Sequence, residues 1–98
     1  MGAIGVVATL KVQAGKEADF EAAFKTLREQ VRANEPGNLQ YDVTRSKADA
    51  QTYVIMEQYA SQDALDAHGK TDHFRAAGPA LGATLAGAPD IQYLDIIS

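Results

Sequence analysis

The spacing of apolar residues changes several times along the chain, and these changes limit the folds that it can adopt. Over residues 3–12 every second residue is apolar, which predicts a strand. Between residues 16 and 34 the large apolar residues recur at helical spacing, which predicts an amphipathic helix. Pro36 and Gly37 end this pattern, because proline cannot continue a helix and glycine allows the chain to reverse. The helical stripe consists of Phe20, Phe24, Leu27 and Val31.

Strand-like alternation returns over residues 38–46 and again over residues 52–60, on either side of a polar stretch. The two segments predict an antiparallel hairpin. In the first of them, Leu39, Tyr41 and Val43 are expected to share one face. A last segment, residues 90–97, predicts a final strand.

Two further helices are predicted between the hairpin and the last strand. Ser61 and Thr71 are good N-cap residues, and each precedes a helical apolar pattern. Gly69 is expected to end the first of these helices in the left-handed conformation. The second helix carries Phe74 on its apolar stripe, and Pro79 either kinks it or begins a restarted segment.

The order strand, helix, strand, strand, helices, strand predicts one α+β domain over residues 1–98. The expected architecture is a ferredoxin-like (βαββαβ) antiparallel sheet with helices on one face. The first and third strands are apolar on both faces, so the bare face of the sheet should also be covered. A second copy packed sheet against sheet is the economical cover, and it would enclose a space. We therefore expect a homodimer.

Composition excludes several classes of partner. Thirteen acidic and nine basic residues give a net charge of −4, and the basic residues are scattered. A nucleic-acid partner is not expected, because phosphate backbones bind clustered positive charge. The sequence contains no apolar run of the roughly 18 residues typical of a membrane span and no secretory signal pattern. With no cysteine in the chain, these features predict a cytoplasmic protein without membrane partners.

The two histidines, His68 and His73, lie on either side of Gly69. In one regular helix these positions would point roughly 140° apart, unlike the histidine pair of a zinc-binding helix, so no metal site is expected. His68 is either a helix-end residue near the last carbonyls or a proton acceptor inside a pocket. His73, beside Asp72, is predicted to be a surface or capping residue.

Glu57 and Tyr59 are two residues apart on a strand and therefore share a face with other apolar side chains. The carboxylate is either a partly solvated edge residue or the group that hydrogen-bonds an imidazole and fixes its tautomer. Tyr41 and Tyr59 are either half-buried strand aromatics or phenols that line a pocket and orient a flat substrate.

Four segments in this order resemble the antibiotic biosynthesis monooxygenase family, particularly its quinol monooxygenase members. They are EPGNLQY (35–41), MEQY (56–59), SQDALDAH (61–68) and DHF (72–74). The resemblance covers nearly the whole chain and implies a dimeric α+β barrel with one pocket per subunit between sheet and helices. It also implies oxidation of hydroquinones or other small phenolic aromatics by molecular oxygen, with no flavin, metal or other cofactor.

For individual residues, the resemblance implies a base or proton relay at His68 and an orienting partner at Glu57. It implies a substrate pocket whose wall includes Tyr41, Tyr59, Phe74 and His73. The chain lacks tryptophan and has no asparagine in residues 3–12, which argues against the haem-degrading and polyketide-oxidising relatives. Two alternatives stay open: an isomerase of a small, phosphorylated dicarbonyl compound, and a non-enzymatic dimeric ligand-binding module.

Overall fold

The computed structural model describes residues 2–98, and Met1 of the predicted domain lies outside the described residues. The sheet has the order β2-β3-β1-β4, and every neighbouring pair is antiparallel. This arrangement confirms the ferredoxin-like α+β prediction. The elements are β1 (Ile4–Lys11), α1 (Glu17–Asn34), β2 (Asn38–Arg45), β3 (Thr52–Tyr59), α2 (Gln62–Gly69), α3 (Asp72–Gly82) and β4 (Asp90–Asp95).

The core lies between the helices and one face of the sheet. The predicted stripe of α1 is buried over its whole length. It packs on Tyr53 and Ile55 of β3, and the rings of Phe20 and Tyr53 have centroids 4.4 Å apart. This burial confirms the predicted helix and fixes which face of β3 points inward.

The opposite face of the sheet carries no helix in the described part of the chain. Val7 and Val54 are partly exposed there, and Met56 and Leu94 are exposed. β4 is exposed at all six of its residues. Within a single subunit, the sheet therefore has one covered face and one open face.

No helix among residues 2–98 has the length and apolar character needed to cross a bilayer.

A bulge near the start of β2 changes the predicted pattern of that strand. The pairing with β3 shifts register between Asn38 and Gln40, and Leu39 is 51% exposed. The expectation that Leu39 would share a face with Tyr41 and Val43 was wrong, because the extra residue interrupts the alternation.

Two glycines have different roles from those predicted. Among the described residues Gly15 has the one positive φ, so Gly69 does not end α2 in the left-handed conformation. Gly37 does not reverse the chain through a positive φ either. A Cβ on Gly37 would instead lie 2.6 Å from the Cβ of Ala64 in α2. Glycine is needed at position 37 because α2 packs directly against this turn.

Pro79 lies inside α3, which continues to Gly82. The alternative in which this proline begins a restarted helix was wrong. The N-cap predictions are confirmed, since the Ser61 hydroxyl accepts a hydrogen bond from the Ala64 N–H and the Thr71 hydroxyl accepts one from the Phe74 N–H.

Candidate functional site

The site is built on two adjacent rows of side chains that cross the covered face of the sheet. Paired residues on neighbouring antiparallel strands point to the same face, and the register places Tyr41, Glu57, Val6 and Tyr93 in one row. Tyr59 lies in the next row. These rows form a floor that contains three phenols and two carboxylates, those of Glu57 and the exposed Asp95.

α2 places His68 above this floor. The Ser61 cap fixes where the helix begins, and His68 falls in its last turn with only 6% of its surface exposed. The ring is turned inward. Its Nδ1 atom contacts a side chain from another element and not the last carbonyls of α2, so the helix-end interpretation does not describe this residue.

The partner of His68 is Glu35, the residue that directly follows α1. The backbone N–H of Glu35 donates to the carbonyl of Val31 over 2.9 Å and anchors the residue at the helix end. Its Oε1 and Oε2 atoms lie 2.9 Å and 3.0 Å from Nδ1 of His68. Its side chain is 10% exposed. A nearly buried carboxylate therefore holds one nitrogen of the His68 ring.

The same carboxylate also holds His73. Nε2 of His73 lies 2.5 Å from Oε2 of Glu35, and the His73 side chain is 13% exposed. The prediction of a surface or capping role for His73 was therefore wrong. Glu35 bridges two imidazoles that come from α2 and α3.

The bridge leaves the second nitrogen of His68 free. With Nδ1–H donating to Glu35, the lone pair of the neutral ring is on Nε2. Nε2 has no hydrogen-bond partner among residues 2–98, and none of the side-chain polar atoms described is both buried and unpaired. Nε2 is therefore in contact with solvent and is available to accept a proton from a ligand.

Glu57 has a different partner from the predicted one. The Tyr59 hydroxyl donates to Oε1 of Glu57 over 2.6 Å, whereas the hydrogen bond to His68 comes from Glu35. Burial is the main cause that raises the pKa of Glu57, and the negative charge of Glu35 adds to it. The hydrogen bond from Tyr59 and the positive form of His68 act in the opposite direction.

Three aromatic rings surround the His68 imidazole, and they belong to residues that were predicted to form the wall of the substrate pocket. The centroids of Phe74, Tyr59 and Tyr41 lie 4.8 Å, 5.2 Å and 6.2 Å from that of His68. Burial, followed by the nearby carboxylates, raises the pKa values of both tyrosines far above the ordinary value. Both phenols therefore stay protonated at physiological pH and are hydrogen-bond donors, not bases.

The cleft above His68 has a volume of about 710 Å³. His68 and Phe74 line it, whereas Tyr41 and Tyr59 are buried beneath and do not reach its wall. Tyr93 of β4, which is 63% exposed, forms part of the wall and was missed in the sequence. The signal was available, because the alternation of β4 and its pairing with β1 place Tyr93 in the same row as Glu57.

A second open cleft, of about 620 Å³, lies at the other end of β2 and β3. Charged side chains such as Glu21, Lys25 and Arg45 line it, and it contains no histidine. We place the site at the His68 cleft because that cleft contains a buried imidazole with a free nitrogen. No group of three His, Cys, Asp or Glu residues in the described chain is arranged to hold a metal ion.

The raised pKa of Glu57 leads to a prediction about stability. The folded protein binds this proton more tightly than the unfolded chain does. Protonated Glu57 therefore adds to the free energy of unfolding. This stabilisation is fully present below the ordinary pKa of 4.5 and is lost as pH rises through the higher folded-state pKa. In Glu57→Gln this loss is absent. The free energy of unfolding of the variant minus that of the wild type should therefore increase with pH.

Urea unfolding between about pH 4 and pH 8 measures this difference. Glu29→Gln is the matched control, since Glu29 is exposed on α1. The free energy of unfolding of Glu57→Gln minus that of the wild type could instead stay constant or fall over this pH range. Either result would contradict the assignment of Glu57 as a carboxyl group whose pKa is raised by burial.

A family model described as antibiotic biosynthesis monooxygenase matches residues 3–80, a range that includes Glu35, both histidines and the first three strands. The chain belongs to the antibiotic biosynthesis monooxygenase family. It is 32% identical over 90 residues to a Bacillus subtilis (strain 168) protein described as "Putative monooxygenase YcnE", and the match covers 92% of this chain and 88% of that protein.

Solved structures of similar proteins have the same fold. A structure described as a "putative antibiotic biosynthesis monooxygenase" from Caulobacter crescentus CB15 is 58% identical, with a TM-score of 0.96, and the match covers 99% of this chain and 92% of that one. A conserved protein from Methanosarcina mazei Go1 is 28% identical, with a TM-score of 0.91 over 97% of this chain and 93% of that one. Both structures therefore share the sheet-and-helix arrangement over nearly the whole of this chain.

Proposed function

We propose that this member of the antibiotic biosynthesis monooxygenase family oxidises quinols or related phenols with molecular oxygen, without a bound cofactor. One observation carries the proposal: His68, whose Nδ1 is held by Glu35 and whose Nε2 has no partner in the described residues, lines a cleft together with Phe74 and Tyr93. A flat phenol in this cleft would present its hydroxyl to a positioned base.

The chemistry requires little more than this base and a binding surface. A neutral hydroquinone transfers electrons to oxygen slowly, and removal of a hydroxyl proton makes the ring a much better reductant. His68 Nε2 accepts that proton, and the electrons pass from the ring to oxygen. One hydroquinone and one O₂ give one hydroxyquinone and one water, so both atoms of oxygen and all hydrogens are accounted for.

The aromatic side chains suit a ring-shaped substrate. Phe74 and Tyr93 present apolar faces to the cleft, and aromatic rings pack favourably on one another in offset or edge-to-face geometry. We assign substrate binding to these two residues and catalysis to His68. Tyr41 and Tyr59 do not reach the cleft and instead support the imidazole from beneath. Glu57 would hold Tyr59 in place through their hydrogen bond.

The second candidate function is isomerisation of a small dicarbonyl compound. It uses the same base, and Tyr93 in the cleft wall favours it, because a phenol O–H can donate to an enolate oxygen. This reaction consumes no oxygen. A non-enzymatic binding module would show neither oxygen uptake nor proton transfer on the ligand.

We also propose that the open face of the sheet is covered by a second copy of the chain, giving the dimeric barrel. Support comes from the exposed Met56 and Leu94 and the partly exposed Val7 and Val54 on that face. Light scattering at micromolar concentration would give the mass of two chains, and the mass of one chain would contradict the dimer.

The absence of cysteine supports a cytoplasmic location.

Oxygen uptake with a panel of naphthohydroquinones tests the function. Each substrate is measured with wild type and in an autoxidation blank, with chelator throughout, and the products are identified by mass. Uptake above the blank with a hydroxyquinone product is the expected result. No uptake with any quinol would overturn the proposal, and conversion of a dicarbonyl under anaerobic conditions would favour the isomerase.

A further inference from the structure

The two histidines bridged by Glu35 open onto different sides of the molecule. His68 lines the substrate cleft, whereas His73 lines a separate groove of about 320 Å³ between α1 and α3. Glu35 is the residue that connects them. The remaining lining of this groove is uncharged: Ala23, Thr26, Leu27, Gln30, Ala76, Ala77 and Ala80.

We propose that His68, Glu35 and His73 form a proton relay that carries the substrate proton out of the cleft and releases it to solvent through the groove between α1 and α3. This inference rests on the proposed function, because it concerns the proton that His68 removes from the substrate. It assigns His73 to proton release and not to substrate binding.

The distances make the relay continuous. Nδ1 of His68 is 2.9 Å from Oε1 of Glu35, and Oε2 of the same carboxylate is 2.5 Å from Nε2 of His73. Nδ1 of His73 has no hydrogen-bond partner in the described residues, and no polar side-chain atom there is both buried and unpaired. This nitrogen is therefore in contact with solvent and completes the path.

Each step transfers one proton and leaves the relay in balance. The substrate hydroxyl gives its proton to Nε2 of His68, whose Nδ1 proton passes to the Glu35 carboxylate. In this relay His73 starts protonated on both nitrogens, and its Nε2–H donates to Oε2 of Glu35. As Oε1 of Glu35 gains the proton from His68, the Nδ1 proton of His73 leaves to water. One proton enters and one leaves, so the net charge of the relay residues returns to its starting value and the substrate remains as its anion.

The position of His68 explains why a second exit is needed. The residue is 6% exposed, and it lines the cleft that the substrate would fill. A bound aromatic ring therefore covers the direct path from Nε2 to water. Tyr41 and Tyr59 beneath the ring are protonated phenols that cannot accept the proton, and Glu57 already accepts from Tyr59. Glu35 is the remaining acceptor that contacts His68.

His73→Gln tests the relay. Glutamine retains a polar side chain of similar length but cannot pass a proton on. At low buffer concentration kcat should fall by about tenfold or more, with KM unchanged, and added imidazole should restore kcat saturably by entering the groove. Glu29→Gln, an exposed change on α1, should behave as wild type. A variant with wild-type kcat at low buffer, or a loss that imidazole does not restore, would overturn the relay.

A second measurement is independent of turnover. With the redox-inert analogue 1-naphthol bound, NMR of ¹⁵N-labelled imidazoles gives the rate at which the His68 Nδ1–H exchanges with solvent. This rate should fall by about tenfold in His73→Gln, while backbone spectra show that the variant is folded. Equal exchange rates would overturn the relay. Slower exchange in the variant, combined with no oxygen uptake by wild type, would support the relay and reject only the quinol reaction.

Discussion

Replacing His68 by glutamine is expected to lower kcat/KM for a quinol by about 10²–10⁴-fold, the range typical of a lost general base. Glutamine fills much of the volume of the imidazole, so the aromatic residues around it keep their packing. Its side-chain amide can donate to Glu35 but cannot accept a proton from the substrate. The expected loss is therefore in proton removal, with little change in ligand affinity.

Two controls separate this effect from a loss of structure. Thermal unfolding and the affinity for 1-naphthol should stay close to wild type in His68→Gln. Glu29→Gln removes an exposed carboxylate that does not line the His68 cleft and should leave oxygen uptake unchanged. If His68→Gln turned over quinols at the wild-type rate above the autoxidation blank, His68 would not be the base.

Replacing Gly37 by alanine is expected to lower the free energy of unfolding by about 1–3 kcal/mol, the range for overpacking at a closely packed site. The new Cβ would lie 2.6 Å from the Cβ of Ala64, a distance at which one of the two segments must move. The turn cannot shift freely, because the carbonyl of Gly37 accepts a hydrogen bond of 2.8 Å from the Ala60 N–H.

The same substitution should also affect the site. Ala64 and His68 are one turn apart on α2, so a displacement of this helix moves His68 relative to Glu35. We expect a measurable loss of oxygen uptake in Gly37→Ala even under conditions where the variant is folded. Chemical denaturation and oxygen uptake on the same samples measure the two effects.

A second substitution distinguishes steric contact from backbone flexibility at position 37. Ala64→Gly removes the atom that the new Cβ would meet, at a cost of about 1 kcal/mol for glycine in a helix. If contact is the cause, the double variant is more stable than the sum of the single changes predicts. Additive effects would show that contact with Ala64 is not the reason that alanine is unfavourable at position 37.

Most of the fold is predictable because it follows from local rules. The change between periods of two and 3.6 gave the strands and helices, and the caps at Ser61 and Thr71 gave the helix starts. The bulge at Leu39 was missed, since it depends on how β2 pairs with β3 and not on the alternation within β2.

The site was only partly predictable for a related reason. His68 was identified, but its partner Glu35 lies 33 residues away in sequence and follows the end of α1, where the segment EPG has the composition of an ordinary turn. His73 lies 38 residues from the same carboxylate. Glu57 was favoured because a carboxylate in an apolar row is conspicuous, yet its contact is local, with Tyr59 two residues away.

The exposure of Tyr93 in β4 affects how substrate specificity can change during the evolution of proteins with this fold. Tyr93 does not belong to the core cluster of the subunit and does not lie on the open face that the second copy would cover, so substitutions at this position change the free energy of unfolding by about 0.5 kcal/mol or less. Tyr93 nevertheless forms part of the cleft wall, and the family match ends at residue 80, before this strand begins. Substitution of Tyr93 can therefore change which ring is accepted while the buried imidazoles and their carboxylate stay constant.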